Sequence, residues 1–173
     1  MKTRFKFLVA STCLLCTILA GCGSAVFLPN SKEATFLENI EGKDDKYLAW
    51  GLGYTNEEAE VDALKAAVYA TIFVGGVGNS APLLSTQEQI KHERFLNDFF
   101  ADPNQWKRFV TNSNQGRIDA DKRLKVSTVG RDKNGNNVNV QAIKLGVEVI
   151  VARKNLREFL EAKGIKGTMR FGG

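Results

Sequence analysis

The sequence predicts an α+β domain, an antiparallel sheet of about three strands packed against a long helix, shorter helices and a C-terminal helix. Three observations carry this. Apolar and small residues alternate along Tyr47-Leu48-Ala49-Trp50-Gly51-Leu52-Gly53. A capping box, Thr55-Asn56-Glu57-Glu58, opens an alanine-rich helical run. Near the C-terminus, Asn134-Gly135 separates two alternating segments, the strongest short hairpin signal.

The elements follow in order. Residues 1–21 read as a cleavable export signal, 22–46 as a tether and 47–173 as one domain. A short helix over 34–40 is the only structure expected in the tether. In the strand 47–53, Leu48, Trp50 and Leu52 share one face, and Tyr47, Ala49 and the two glycines share the other. The helix capped by Thr55 runs to about Val74. Its alanine flank (Ala59, Ala63, Ala66, Ala67, Ala70) suits close docking on the glycine-bearing strand. A second capping box, Ser85-Thr86-Gln87-Glu88, starts a helix to about Phe100 with His92, Phe95, Leu96 and Phe99 in a stripe. Asp102-Pro103 caps a third helix carrying Trp106, Phe109 and Val110. A strand follows over 118–127, then the turn Asp132-Lys133-Asn134-Gly135-Asn136 and a return strand. In that strand the apolar phase changes, from Val138, Val140 and Ala142 to Ile143, Leu145, Val147, Val149 and Val151. The change calls for a bulge near 142–144 or for one strand serving two roles. The last helix, 153–163, presents Leu156, Phe159 and Leu160 and stops at Gly164, with Ile165 placed to fold back in a Schellman cap.

The N-terminus carries the sharpest chemical signal. Lys2, Arg4 and Lys6 precede an uncharged stretch, 7–20, whose helical length of about 21 Å falls short of the roughly 30 Å bilayer core. The stretch ends Leu19-Ala20-Gly21-Cys22, the pattern of a bacterial lipobox. Cys22 is therefore the expected lipid attachment site, its thiol taking a diacylglyceryl group and palmitate-class chains following. Cys13 and Cys16 fall in the removed segment, and the sulfur of Cys22 is occupied, so the mature chain offers no thiolate metal site or disulfide. Three of the basic residues leave with the signal, and 22–173 carries 21 basic and 19 acidic side chains. Nucleic acid is a poor partner for so balanced a chain.

No set of residues composes an active site. Gly75-Gly76-Val77-Gly78 closes a helix and lacks the Gly-Lys-Ser/Thr of a phosphate loop. His92 is the only histidine and reads as a helix residue. Glu57, Glu58, Glu60 and Asp62 suit a helix N-terminus, where the dipole favours acids. Phe95, Phe99, Phe100, Trp106 and Phe109 read as core at helical spacing. Catalytic residues, cofactor-binding residues and metal ligands are accordingly expected to be none, and no small-molecule substrate is expected.

The motif Ala49-x-Gly51-x-Gly53, followed by Glu58-Ala59-x₃-Ala63-Leu64-x-Ala66-Ala67, resembles the N-terminal domain of the flagellar assembly protein T family. It also resembles the small outer-membrane lipoproteins related to it, the flagellar lipoprotein P class. Val138-x-Val140, Val147-x-Val149 and Leu156-x₃-Leu160-x₃-Gly164-Ile165 extend the likeness across 47–165. The resemblance implies a non-enzymatic structural or assembly module of a cell-envelope complex, such as a flagellar outer-membrane ring or disk. Gly23, rather than an aspartate, follows Cys22, which points to the outer membrane, with the domain facing the periplasm. Self-association or envelope protein partners are expected. Residues 22–106 carry a net −7 and 107–173 a net +9, and Thr168-Met169-Arg170-Phe171 could add a strand to a neighbour. The alternative is a monomeric periplasmic binding lipoprotein that engages peptidoglycan or regulates a cell-wall enzyme.

Overall fold

The computed structural model describes residues 26–76, 80–113 and 119–167. Strands β1 (Ala34–Ile40) and β2 (Asp44–Gly53) form a hairpin, and helix α1 (Asn56–Phe73) follows. Next come α2 (Thr86–Lys91), α3 (Glu93–Ala101), α4 (Pro103–Trp106) and β3 (Val110–Asn112). The chain closes with β4 (Arg123–Arg131), β5 (Asn137–Val151) and α5 (Arg153–Ala162). The strand order is β1-β2-β5-β3, with β4 also paired to β5 and every pairing antiparallel. β5 is the hub. β2 pairs with its residues 143–151 along one edge, while β4 takes 137–145 and β3 takes 149–151 along the other.

The sheet thus has five strands, which corrects the expected three. One addition is β1, in the stretch read as tether with at most a short helix. Its pairing with β2 is closed by Glu41 and Gly42, both at positive φ (50° and 71°), as a primed hairpin turn requires. Phe36 turns inward and meets the Tyr47 ring edge-on, with centroids 5.7 Å apart. The other addition, β3, takes Val110 out of the predicted third helix. That helix ends at Trp106, and a 3-10 turn (Lys107–Phe109) leads directly into the strand.

The glycine-bearing face of β2 is the one that carries α1. A Cβ on Gly51 would lie 2.0 Å from the Ala59 carbonyl oxygen and 2.3 Å from the Ala63 nitrogen; one on Gly53 would lie 2.3 Å from the Ala59 nitrogen. Backbone therefore meets backbone with no room for a methyl group. Thr55 accepts from the Glu58 N–H (3.2 Å), and the Glu58 carboxylate accepts from the Tyr54 N–H (2.8 Å), one residue before the usual partner in a capping box.

The second motif caps its helix, Ser85 accepting from the Glu88 N–H at 3.3 Å, while the Glu88 carboxylate accepts from the Lys166 N–H rather than closing the box. Its helix, however, is not continuous to Phe100. The backbone leaves helical geometry at His92 (φ −113°, ψ 20°), which ends α2 and begins α3. Asp102 caps α4 through the Asn104 N–H (2.9 Å), with Pro103 in the first turn. α5 ends in the Schellman arrangement: Gly164 sits at φ 77°, its N–H bonds the Glu161 carbonyl, and the Ile165 N–H bonds the Leu160 carbonyl. The core lies between sheet and helices. Tyr47, Leu145, Val147, Val149 and Val151 meet Phe99, Trp106, Leu156, Leu160 and Ile165 there. Each large side chain enclosed in this way stabilises the domain by about 1.5–3 kcal/mol.

The phase change in β5 involves no bulge. Its register with β4 and with β2 runs unbroken through 142–144. The strand serves two roles: odd residues of 145–151 face the helices, while Val138, Val140 and Ala142 point to the opposite face of the sheet. There they belong to a two-stranded ribbon with β4 that extends past the end of β2.

Candidate functional site

The predicted lipid site, Cys22, lies outside the described residues, as do the signal 1–21, Val77, Gly78 and the tail 168–173. What the structure does fix is the chain four residues further on. Phe27 forms an antiparallel bridge with Arg131 near the tip of the β4–β5 ribbon, donating at 2.7 Å and accepting at 2.9 Å. The Val26 carbonyl accepts from the Tyr54 hydroxyl at 3.0 Å, and Val26 lies against Gly130 where a larger residue would clash. Ser31 then donates its N–H to Asp62 (2.8 Å), and the Glu33 carbonyl accepts from the Trp50 N–H (2.8 Å). Residues 26–33 are thus a strap that runs from the ribbon tip, across the start of α1, into β1.

Beneath the strap lies an open cleft of about 430 Å³, lined by Leu28, Pro29, Leu52, Val61, Phe100 and Trp106, with Glu57, Glu58, Asp62 and Lys65 among its polar members. Asp62 is 8% exposed; its Oδ2 accepts from the Ser31 and Leu52 N–H groups, at 2.8 and 2.9 Å, and its Oδ1 has no partner. Burial raises its pKa above the ordinary carboxylate range, against the lowering effect of those two N–H donors. The Trp106 indole N–H is likewise buried without a partner.

The other acids singled out in the sequence are tied to structural bonds. Glu58 serves the cap, and Glu60 accepts from Asn112 Nδ2 at 2.8 Å. Glu57 is held low by hydrogen bonds from its own N–H and from Thr55, with the Arg123 charge adding to them. His92 Nε2 stands 3.3 Å from a Glu88 oxygen without hydrogen-bond geometry, at the break between α2 and α3. Ser85, a hydroxyl earlier in the same segment, is engaged as the helix cap. Gly75 and Gly76 close α1: Gly75 donates to the Ala70 carbonyl, and a Cβ on Gly76 would strike the Phe36 ring. The aromatic group is core, with Phe99 stacked among Phe95, Phe109 and Phe159. Among the described residues, no group of His, Cys, Asp and Glu could hold a metal ion, and no helix is long and apolar enough to cross a membrane.

One charged cluster escaped the sequence reading. Asp45 is fully buried and Arg153 is 3% exposed, joined at 2.7 Å. Asp45 also accepts from Ser80 Oγ (2.7 Å), Asn39 Nδ2 (2.8 Å) and the Tyr47 hydroxyl (3.4 Å), and Arg153 Nη2 donates to the Ala81 carbonyl. Burial chiefly pushes the Tyr47 phenol up to about 12. The network locks β1, β2, the 80–81 segment and the start of α5 together. With every oxygen of Asp45 engaged, it is a structural clasp rather than a reactive centre. Partners 108 residues apart leave no local spacing to read in the sequence.

Comparison with protein-family models, with curated proteins and with solved structures gives no match.

Proposed function

We propose that the chain is a lipid-anchored protein of the cell envelope, held at Cys22 on the periplasmic face of an outer membrane and acting as a structural or assembly module. A flagellar ring or disk is the specific setting the family resemblance suggests. The observation that carries the reading is Leu19-Ala20-Gly21-Cys22 after a basic n-region and a short uncharged core. The strap supports it: the chain is bound to the domain surface within four residues of the acylated position, so the anchor holds the domain close to the bilayer. Glu58 and Glu60 are engaged in a helix cap and a side-chain bond, which supports a structural rather than an enzymatic role for the acids of α1. Part of the charge asymmetry is used within one copy, since Lys144–Glu33 and Arg153–Asp45 each pair a base of the basic half with an acid of the acidic half. What remains exposed on the ribbon and α1 is available for heterologous contacts.

The direct test is incorporation of radiolabelled palmitate. The wild-type chain should be labelled, and Cys22→Ala should lose the label and accumulate as precursor; label retained in Cys22→Ala contradicts the anchor. The cleft beside Asp62 favours a second reading, a monomeric binding lipoprotein. Sedimentation of the acylated chain in detergent separates the two: oligomers that dissociate as salt rises support assembly, and a monomer that co-sediments with purified cell-wall sacculi supports binding.

A further inference from the structure

One face of the β4–β5 ribbon, the one bearing the odd-numbered residues of β4, is exposed along the strand. Of the nine β4 residues, only Gly130 is buried. Phe27 lies directly opposite Arg131, so their side chains share a face, and Val129 stands on that face two residues along. Phe27 is 65% exposed and Val129 48%. Arg123 and Lys125 continue the same face, and Lys133 sits in the turn; all these basic residues are exposed. The one acid of the turn, Asp132, is occupied by the Asn134 and Asn136 N–H groups at 2.8 and 2.9 Å and by Asn136 Nδ2 at 3.0 Å. An apolar pair ringed by cations, with the local acid held by the turn's own N–H groups, matches an anionic phospholipid surface: headgroup phosphates meet Arg and Lys while an aromatic ring sits at the interface.

Geometry supplies the second argument. Three residues separate Cys22 from Val26, so even a fully extended chain places the acylated residue within about 14 Å of the strap. The strap is hydrogen-bonded to the ribbon tip. Resting on the lipoprotein reading, we propose that the ribbon tip and Phe27 form a foot that lies on the anionic bilayer surface and fixes the orientation of the domain below its anchor.

The test uses the full chain, processed and acylated in the bacterium. It is placed in vesicles of phosphatidylethanolamine and phosphatidylglycerol, in neutral vesicles of phosphatidylcholine, and in detergent. Amide exchange is read across 123–131 and 137–142. Exchange there should slow about ten-fold in the anionic vesicles alone, and Lys125→Glu/Arg131→Glu/Lys133→Glu should abolish the slowing. A triple reversal elsewhere on the surface, Lys91→Glu/Lys154→Glu/Lys163→Glu, should leave it intact. Equal exchange in all three environments overturns the proposal. So does slowing that the ribbon reversal leaves unchanged, or slowing in detergent that grows with protein concentration, which would make a second copy the occupant. Intact mass reports acylation separately. An unacylated Cys22 removes the lipoprotein reading and this proposal with it, whereas an acylated chain with an unprotected ribbon removes only the foot.

Discussion

The two ends of β5 share a valine-rich composition and sit in opposite surroundings. Val147, Val149 and Val151 are fully enclosed, with β2 on one edge and the helix layer over them. Val138 and Val140 stand on a two-stranded ribbon whose other strand is exposed on most of its length and whose apolar face is covered in part by Val26. The enclosed end is over-determined: α1 lies on the glycines of β2 at backbone contact distance, and the Asp45–Arg153 clasp ties four segments at its margin. A two-stranded ribbon has no such support and is marginal by itself in water, so the strap is what holds its tip. One strand thus links a rigid body to a surface arm. The arm is where Val26 and Phe27 are fastened.

The largest effect that could break this contrast is in the clasp. Arg153→Met leaves Asp45 buried with neutral donors only, and should destabilise the domain by about 3–5 kcal/mol. At about 2–4 °C per kcal/mol for a domain of this size, the unfolding midpoint in a thermal melt should fall by roughly 10 °C or more. An unchanged melt would show that the pair is not enclosed as described.

A matched pair of substitutions sharpens the comparison. Val149→Ala opens a cavity in the enclosed half and should cost about 2 kcal/mol, whereas Val129→Ala on the ribbon should stay within about 0.5 kcal/mol. Equal costs in denaturant titrations would mean that the arm is packed as tightly as the body.

The smallest effect concerns Asp62. An acid whose folded pKa is raised by burial binds its proton more tightly folded than unfolded. Its charged form therefore costs stability above the folded value, and that cost is relieved as pH falls toward the ordinary carboxylate range. Asp62→Asn should be as stable as the wild type or more so at neutral pH, by no more than about 1 kcal/mol, with the difference shrinking as pH falls through that window. A variant advantage that grows toward acid would reverse the assignment.

Local signals made much of the fold readable. The Thr55 and Ser85 N-caps, the Asp102-Pro103 start, the Asn134-Gly135 hairpin and the Gly164-Ile165 stop are contiguous motifs, and each forms. The phase change in β5 was visible, and its resolution as two roles depended on the lengths of β2 and β4. β1 was hidden because an edge strand alternating Glu38 with half-buried apolar residues looks polar, and because Glu41-Gly42 lacks the asparagine that usually marks such a turn. β3 is three residues long, too short for any period. The break at His92 interrupts an apolar stripe that is continuous in sequence. Of the candidate functional features, only the lipobox-like Leu19-Ala20-Gly21-Cys22 is contiguous in the sequence. The strap, the cleft and the clasp join residues that the fold brings together from far apart, and no spacing announces them.

Residue-resolved amide exchange on the full chain in neutral detergent tests the division of β5 most directly. Amides in residues 145–151 should exchange only through global unfolding, while those in 137–141 and their β4 partners should exchange through local opening at least about a hundred-fold faster. Uniform protection along the whole of β5 would contradict the account of a rigid body carrying a separate, strapped arm.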